Sequence, residues 1–283
     1  MKKVILSSIL ALSLLQAVSI DTADEIDTAD ENITLSAPQT IKHTIPYLNR
    51  NGNYKTFVKV FNNSDCEITP KAIVYGDNGN HNDKYDAFPI FTSLLPKHSI
   101  IIFANTIQTI AQNLGIDLPD SFGMEIIYNC KGEKTLKRNQ VFTFALQKSP
   151  EGQRVIPVFR NFDQKSPTGS GHMVIPHIFQ EEGSNIGGFK AFLKILNTSD
   201  ENIPITIKAY PDFTGKEHKT TWMLPKKRAT AIMGGDLYKR LKIPYNTPIA
   251  IEIDVPKNIE NLYPIAIQKT YYGPRVLKVY KFK

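Results

Sequence analysis

Val58-Lys59-Val60-Phe61-Asn62-Asn63-Ser64-Asp65 returns in the second half of the chain as Leu193-Lys194-Ile195-Leu196-Asn197-Thr198-Ser199-Asp200. In both stretches a strand-length run gives way to Asn-x-Ser-Asp, which reads as a strand ending in a polar turn. The match extends in both directions and keeps its order. Upstream, Ile45-Pro46-Tyr47 stands against Ile175-Pro176-His177. Downstream, Leu95-Pro96-Lys97 stands against Leu224-Pro225-Lys226, Gly123-Met124-Glu125-Ile126 against Ala250-Ile251-Glu252-Ile253, Ala145-Leu146-Gln147-Lys148 against Ala266-Ile267-Gln268-Lys269, and Arg154-Val155-Ile156 against Arg275-Val276-Leu277. An internal repeat of this length predicts two copies of one domain.

Each copy is of common domain size, large enough for its own core. In the second copy, strand-length runs occupy 173–178, 189–196, 203–210, 220–224, 229–233, 248–255, 264–270 and 276–282, separated by turn residues. Ile203 to Tyr210 and Ala250 to Asp254 alternate with period two, so one face is expected to pack inward and the other to meet water. Asp236–Leu241 and Thr106–Leu114 each fit a short helix at matching places, with Asp236 and Thr106 as N-caps. The predicted fold is all-β: two tandem immunoglobulin-like antiparallel β-sandwich domains, each with one short helical crossover. The expected division is a signal peptide over 1–19, an acidic flexible linker over 20–36, sandwiches over 37–160 and 172–283, and a linker over 161–171.

The N-terminal expectation rests on Lys2 and Lys3, the apolar run Val4 to Leu15, and the small-residue pattern Ala17-Val18-Ser19. It predicts export to the periplasm, the cell surface or the medium. No later stretch approaches the roughly 20 apolar residues of a spanning helix, so no transmembrane segment is expected after signal removal. The duplicated Ile20-Asp21-Thr22-Ala23-Asp24-Glu25 and Ile26-Asp27-Thr28-Ala29-Asp30-Glu31 has too little apolar content to fold alone. Beyond it, Asn32-Ile33-Thr34-Leu35 reads as an edge strand or as a strand donated to a neighbour.

Cys66 and Cys130, the only cysteines, both fall in the first copy of a chain expected to be exported, so they are expected to pair. Their counterparts lie near Glu201 and Lys257. A metal-binding thiol pair would need a CxxC spacing and neighbouring histidines that this sequence lacks. There is also no GxSxG, HExxH, Walker loop, GxGxxG after a strand, or CxxCH. The histidines His43, His81, His98, His172, His177 and His218 are scattered. No catalytic residue, metal or cofactor is expected.

Without Lys2, Lys3 and the six acids of the hexapeptides, the remainder carries 32 basic and 21 acidic residues. A net +11 suits an anionic polymer such as lipopolysaccharide, teichoic acid, an acidic glycan or nucleic acid. It equally suits lysine-rich strand edges that resist aggregation. Lys226, Lys227, Arg228, Lys239, Arg240 and Lys242, with Tyr238 and Tyr245 nearby, form the candidate polyanion-binding set. Asp77, Asp83 and Asp86 could supply oxygen ligands to calcium, although their spacing is not that of an EF-hand and a solvated hairpin loop explains them as well.

The strand-then-Asn-x-Ser-Asp grammar resembles exported bacterial immunoglobulin-like modules in general style. Size and architecture are similar to the periplasmic pilus chaperones, though no residues carry over from them. The expected function is a non-enzymatic cell-envelope or surface protein with a structural, adhesive or assembly role, whose partners are other proteins or further copies of itself. A periplasmic assembly factor for surface subunits is the alternative, and an anionic-glycan binder the third reading.

Overall fold

The period-two alternation of Lys55–Asn62 becomes β2, with Val58 and Val60 buried and Lys59 exposed, and its repeat Lys190–Asn197 becomes β11. The computed structural model describes residues 40–50, 54–76, 84–132, 136–137, 139–150, 152–162, 169–183, 188–212, 216–271 and 273–282. The expected signal peptide, acidic linker and Asn32–Leu35 strand lie outside these residues.

The first half comprises β1 (Ile41–Asn49), β2, β3 (Ile68–Gly76), β4 (Lys84–Pro89), β5 (Ser99–Phe103), α1 (Ala104–Asn113), β6 (Ser121–Cys130), β7 (Val141–Ser149), β8 (Gly152–Ile156) and β9 (Phe159–Phe162). The second half comprises β10 (Gly171–Ile178), β11, β12 (Ile203–Pro211), β13 (His218–Leu224), β14 (Arg228–Met233), α2 (Gly234–Leu241), β15 (Ile249–Val255), β16 (Leu262–Thr270), β17 (Gly273–Leu277) and β18 (Tyr280–Phe282). All strand pairs are antiparallel. They build sheets of order β4-β3-β6-β1-β9 and β5-β2-β7-β8, which return as β13-β12-β15-β10-β18 and β14-β11-β16-β17. Among the described residues each half thus has nine strands, rather than the seven or eight expected. The run 276–282 is broken into β17 and β18, and the last strand of each half pairs with the first.

α1 and α2 carry the chain from one sheet of a half to the other. They begin directly from the preceding strand, with Phe103 and Met233 at the N-cap positions and no side-chain cap, so neither Thr106 nor Asp236 caps a helix. Asp236 instead lies in the first turn of α2, where its charge suits the helix dipole. Among the described residues no helix is long and apolar enough to cross a membrane.

The repeated Asn-x-Ser-Asp does more than turn the chain. Buried Asn62 donates from Nδ2 to the carbonyls of Cys66, Leu94 and Leu95 at 2.8–3.1 Å, and its Oδ1 accepts from the amide and hydroxyl of Ser64. Asn197 repeats this with Glu201, Leu224, Pro225 and Ser199. Beside these clasps Lys97 and Lys227 adopt φ of 62° and 51°. Their ammonium groups reach the carbonyls of Asn63 and Thr198 and pair with Asp65 and Asp200, both at 3.2 Å. The structural equivalent of Lys97 is therefore Lys227, one residue beyond the Leu-Pro-Lys match in the sequence. Main-chain geometry, not residue identity, sets the equivalence here.

Cys66 and Cys130 are bonded, with Cα atoms 5.7 Å apart, and tie the start of β3 to the end of β6. At the same place in the second half, Lys257 and Glu201 form a salt bridge.

The apolar faces of the two sheets of each half meet in a core of its own. A third set of contacts joins the halves. β1 and β16 are buried on both faces, since the sheet containing β1 and β6 packs against the sheet containing β11 and β16. Ile265 and Ile267 of the second half thereby enter the core of the first, and Ala37–Lys283 form one compact unit that contains all four sheets.

Asn197→Ala should lower the unfolding free energy by roughly 3 kcal/mol, because several buried carbonyls lose their donor; denaturant unfolding measures this, and a loss under about 1 kcal/mol would contradict it. Cys66→Ser with Cys130→Ser should cost about 4 kcal/mol on chain-entropy grounds. Lys257→Ala, which removes an exposed ion pair at the equivalent place, should cost less than about 1 kcal/mol in the same measurement.

Candidate functional site

The junction between the halves is where chemistry-bearing side chains gather, and it begins from the outward residues of β1, β3 and β6. Tyr75 and Glu125 are buried there. The Tyr75 hydroxyl donates to Glu125 Oε2 at 2.5 Å, and Thr44 donates to Oε1 at 3.4 Å. Burial first, and the adjoining Glu125 carboxylate second, push the Tyr75 phenol far above its ordinary value, so it remains a donor at any working pH. From the facing sheet, Lys194 enters fully buried. Its ammonium donates to Ser121 Oγ at 2.9 Å and lies 4.6 Å from the centre of the Tyr47 ring. Phe192 tilts against the same ring, with centroids 5.8 Å apart. Gly123 permits this approach: a Cβ there would come within 2.9 Å of Leu196.

A polar cavity of about 420 Å³ opens beside this seam, lined by Glu125, Tyr75, Lys42, Asp200 and Lys227 among others. Lys227 is already engaged by Thr198 and Asp200, and Glu125 by Tyr75 and Thr44. The arrangement can neutralise charge and hold two sheets in register. Among the described residues no group of three or more His, Cys, Asp or Glu could hold a metal ion.

A second polar cluster sits within the core of the first half. His43 Nδ1 lies 2.6 Å from Thr143 Oγ1, the Tyr128 hydroxyl meets the same oxygen at 2.6 Å, and the His43 and Tyr128 rings pack edge to face at 5.1 Å. Nε2 of His43 is buried without a hydrogen-bond partner. Burial, reinforced by the Arg160 charge, lowers the His43 pKa to about 4, so the ring is neutral in the folded protein. By strand register Met173, Val255 and Pro264 take the places of His43, Tyr128 and Thr143 in the second half.

The candidate polyanion set comes from two places in the chain. Lys226 and Lys227 lie in the turn before β14, and Arg228 opens that strand. Lys239 and Arg240 lie in the last turn of α2, and Lys242 caps it, beyond the other end of β14. Five strand residues, Ala229 to Met233, and the first turn of α2 lie between the two groups in the chain. Arg240 stacks on Trp222 at 4.1 Å, and Tyr238 is fully buried with its hydroxyl on the carbonyls of Ile178 and Thr247. Of the calcium candidates, Asp77 and Asp83 lie outside the described residues, and only the backbone of Asp86, in β4, is described. His81 also lies outside them. His98 and His177 are exposed, His172 stacks on Phe282, and His218 Nδ1 meets the Leu241 carbonyl at 3.0 Å.

Sequence reasoning missed the Tyr75–Glu125 and Lys194–Tyr47 contacts. The available signal was Leu262-Tyr263-Pro264-Ile265-Ala266-Ile267, apolar on both strand faces, which marks a strand covered on both sides. No protein-family model, curated protein or solved structure matches the chain.

Because the His43 pKa is depressed in the folded state, the unfolded chain binds the extra proton as pH falls below 6.5. Stability should be full above pH 6.5 and decline as pH falls towards 4, by about 3 kcal/mol in total. His43→Met, which copies Met173 at the equivalent position of the second half, should flatten that slope in thermal unfolding across pH; an unchanged slope would assign it to other groups.

Proposed function

We propose that this is an exported, non-enzymatic cell-envelope or surface protein whose paired immunoglobulin-like sandwiches serve a structural or assembly role. The observation that carries the reading is the Cys66–Cys130 bond, which ties β3 to β6 in a body otherwise held by sheet packing. Such bonds persist in oxidising compartments, in agreement with the leader-like residues 1–19. The buried polar groups support a structural role as well. Tyr75 bonds Glu125 between neighbouring strands, while Lys194 reaches Ser121 and His43 reaches Thr143 across packed sheets, so each ties strands or sheets together.

Adhesion and partner assembly fall within the same reading, since among the described residues Ile101, Phe103, Phe144 and Val155 of the first half are large apolar side chains left exposed. Binding of an anionic polymer is the weaker reading, because Lys227 is already engaged by Thr198 and Asp200 and Arg240 stacks on Trp222. Fractionation of the native host, with electron microscopy of labelled protein, tests the proposal. The chain should be found in the periplasm, at the surface or in the medium, with its two cysteines oxidised. Recovery from the cytoplasm with two free thiols would sink it.

A further inference from the structure

We propose that the chain associates with itself head to tail. The outer sheet face of the first half of one molecule docks on the outer sheet face of the second half of the next, as the two halves dock within a single molecule. This deepens the structural role proposed above and names its partner as a second copy of this chain.

The register of the repeat fixes which faces of the two halves correspond. Phe192, Lys194 and Leu196 on β11, with Tyr263, Ile265 and Ile267 on β16, form the face that the second half presents to the first. Their equivalents on β2 and β7 are Phe57, Lys59, Phe61, Phe142, Phe144 and Leu146. In the second half Ile265 is 1% exposed; in the first, Phe144 is 41% exposed, and its neighbours Ile101, Phe103 and Val155 are each about half exposed. Among the described residues, the same face is therefore built twice and covered once. A contiguous apolar sheet face of this kind marks an interaction site.

What covers it follows from the lysine at its centre. Lys59 lies between Ile101 and Phe144, so two such faces meeting each other would oppose lysine to lysine. Lys194, its equivalent, is buried against an aromatic ring and a hydroxyl of the facing sheet. The face that corresponds to that acceptor is the outer face of the second half, where Glu252, Tyr210 and His177 take the places of Glu125, Tyr75 and Tyr47. Glu252 and Asp254 also give it carboxylates, which Lys208 contacts at 3.5 and 2.8 Å. A cationic apolar face thus meets a face bearing acids and aromatic rings, which favours heterologous over isologous pairing.

Two positions differ from the internal junction. Ala250 stands where Gly123 admits Leu196, and Phe61 stands where Leu196 enters. Both thicken the contact, so the junction between molecules is wider and weaker than that within one, and association depends on concentration.

Sedimentation of the purified full chain over a wide concentration range tests this. A head-to-tail contact that does not close into a ring gives a mass that keeps rising with concentration rather than stopping at a dimer. Phe144→Glu, on the first-half face, and Ala250→Arg, on the second-half face, should each abolish the rise, weakening association by roughly a hundredfold. Mixed together they should form a one-to-one complex, because each retains the face the other lacks. Ala250→Gly, which relieves the thickened contact, should tighten association by roughly tenfold. Thermal unfolding confirms that each variant is folded. A chain monomeric throughout overturns the proposal, as does a dimer that survives Ala250→Arg, which would mean pairing of two first-half faces. Export is read separately by fractionation: a monomeric surface protein removes only the self-association, and a self-associating cytoplasmic protein removes only the envelope role.

Discussion

The packing of the β3-β6-β1 face against the β11-β16 face holds the two halves as one body. It draws on apolar residues that a single sandwich would leave in water, and it places Tyr47, Leu196, Ile265 and Ile267 out of solvent and half-buries Phe192. Burying a Lys194 ammonium in such a seam is costly unless its donors are satisfied. The Ser121 hydroxyl and the Tyr47 ring supply that compensation, and Gly123 lets Leu196 approach closely enough for the layers to seal. The polar cavity beside the seam, and the contrast between covered and open faces, follow from this one contact.

The two copies separate what folding requires from what position imposes. Both retain the buried asparagine clasp and the left-handed lysine beside it, because three main-chain carbonyls at a strand end need a donor wherever the module sits. Other positions have diverged in chemistry while keeping their place. The end of β6 is tied covalently by Cys130, and the end of β15 by the ion pair of Lys257 with Glu201. The tyrosine–glutamate pair is present in both copies, but Tyr75 and Glu125 are sealed in the junction, whereas Tyr210 and Glu252 face outward beside Lys208.

The repeat was legible in the sequence because alternation and turn chemistry are local, and local rules act on a few consecutive residues. Strand positions such as Ile203–Tyr210 and both short helices could be read this way. Nearby Thr106 and Asp236 misled as caps, since the preceding strands run straight into helix without a free loop residue to cap it. The Leu-Pro-Lys match slipped by one residue because letters aligned where main-chain conformation did not. Of the candidate site residues, the cysteines could be paired by redox logic. The proximity of the basic set could not be read from sequence, since β14 and most of α2 lie between its two groups in the chain.

By itself, then, the sequence determined the strands, their repetition and the residues that face inward within each half, because period and turn chemistry depend on near neighbours. Only the tertiary structure decided which outward faces meet. The same alternation leaves Lys59 in water and Lys194 buried, and that difference arises from a sheet more than sixty residues away in the chain. No local pattern encodes it.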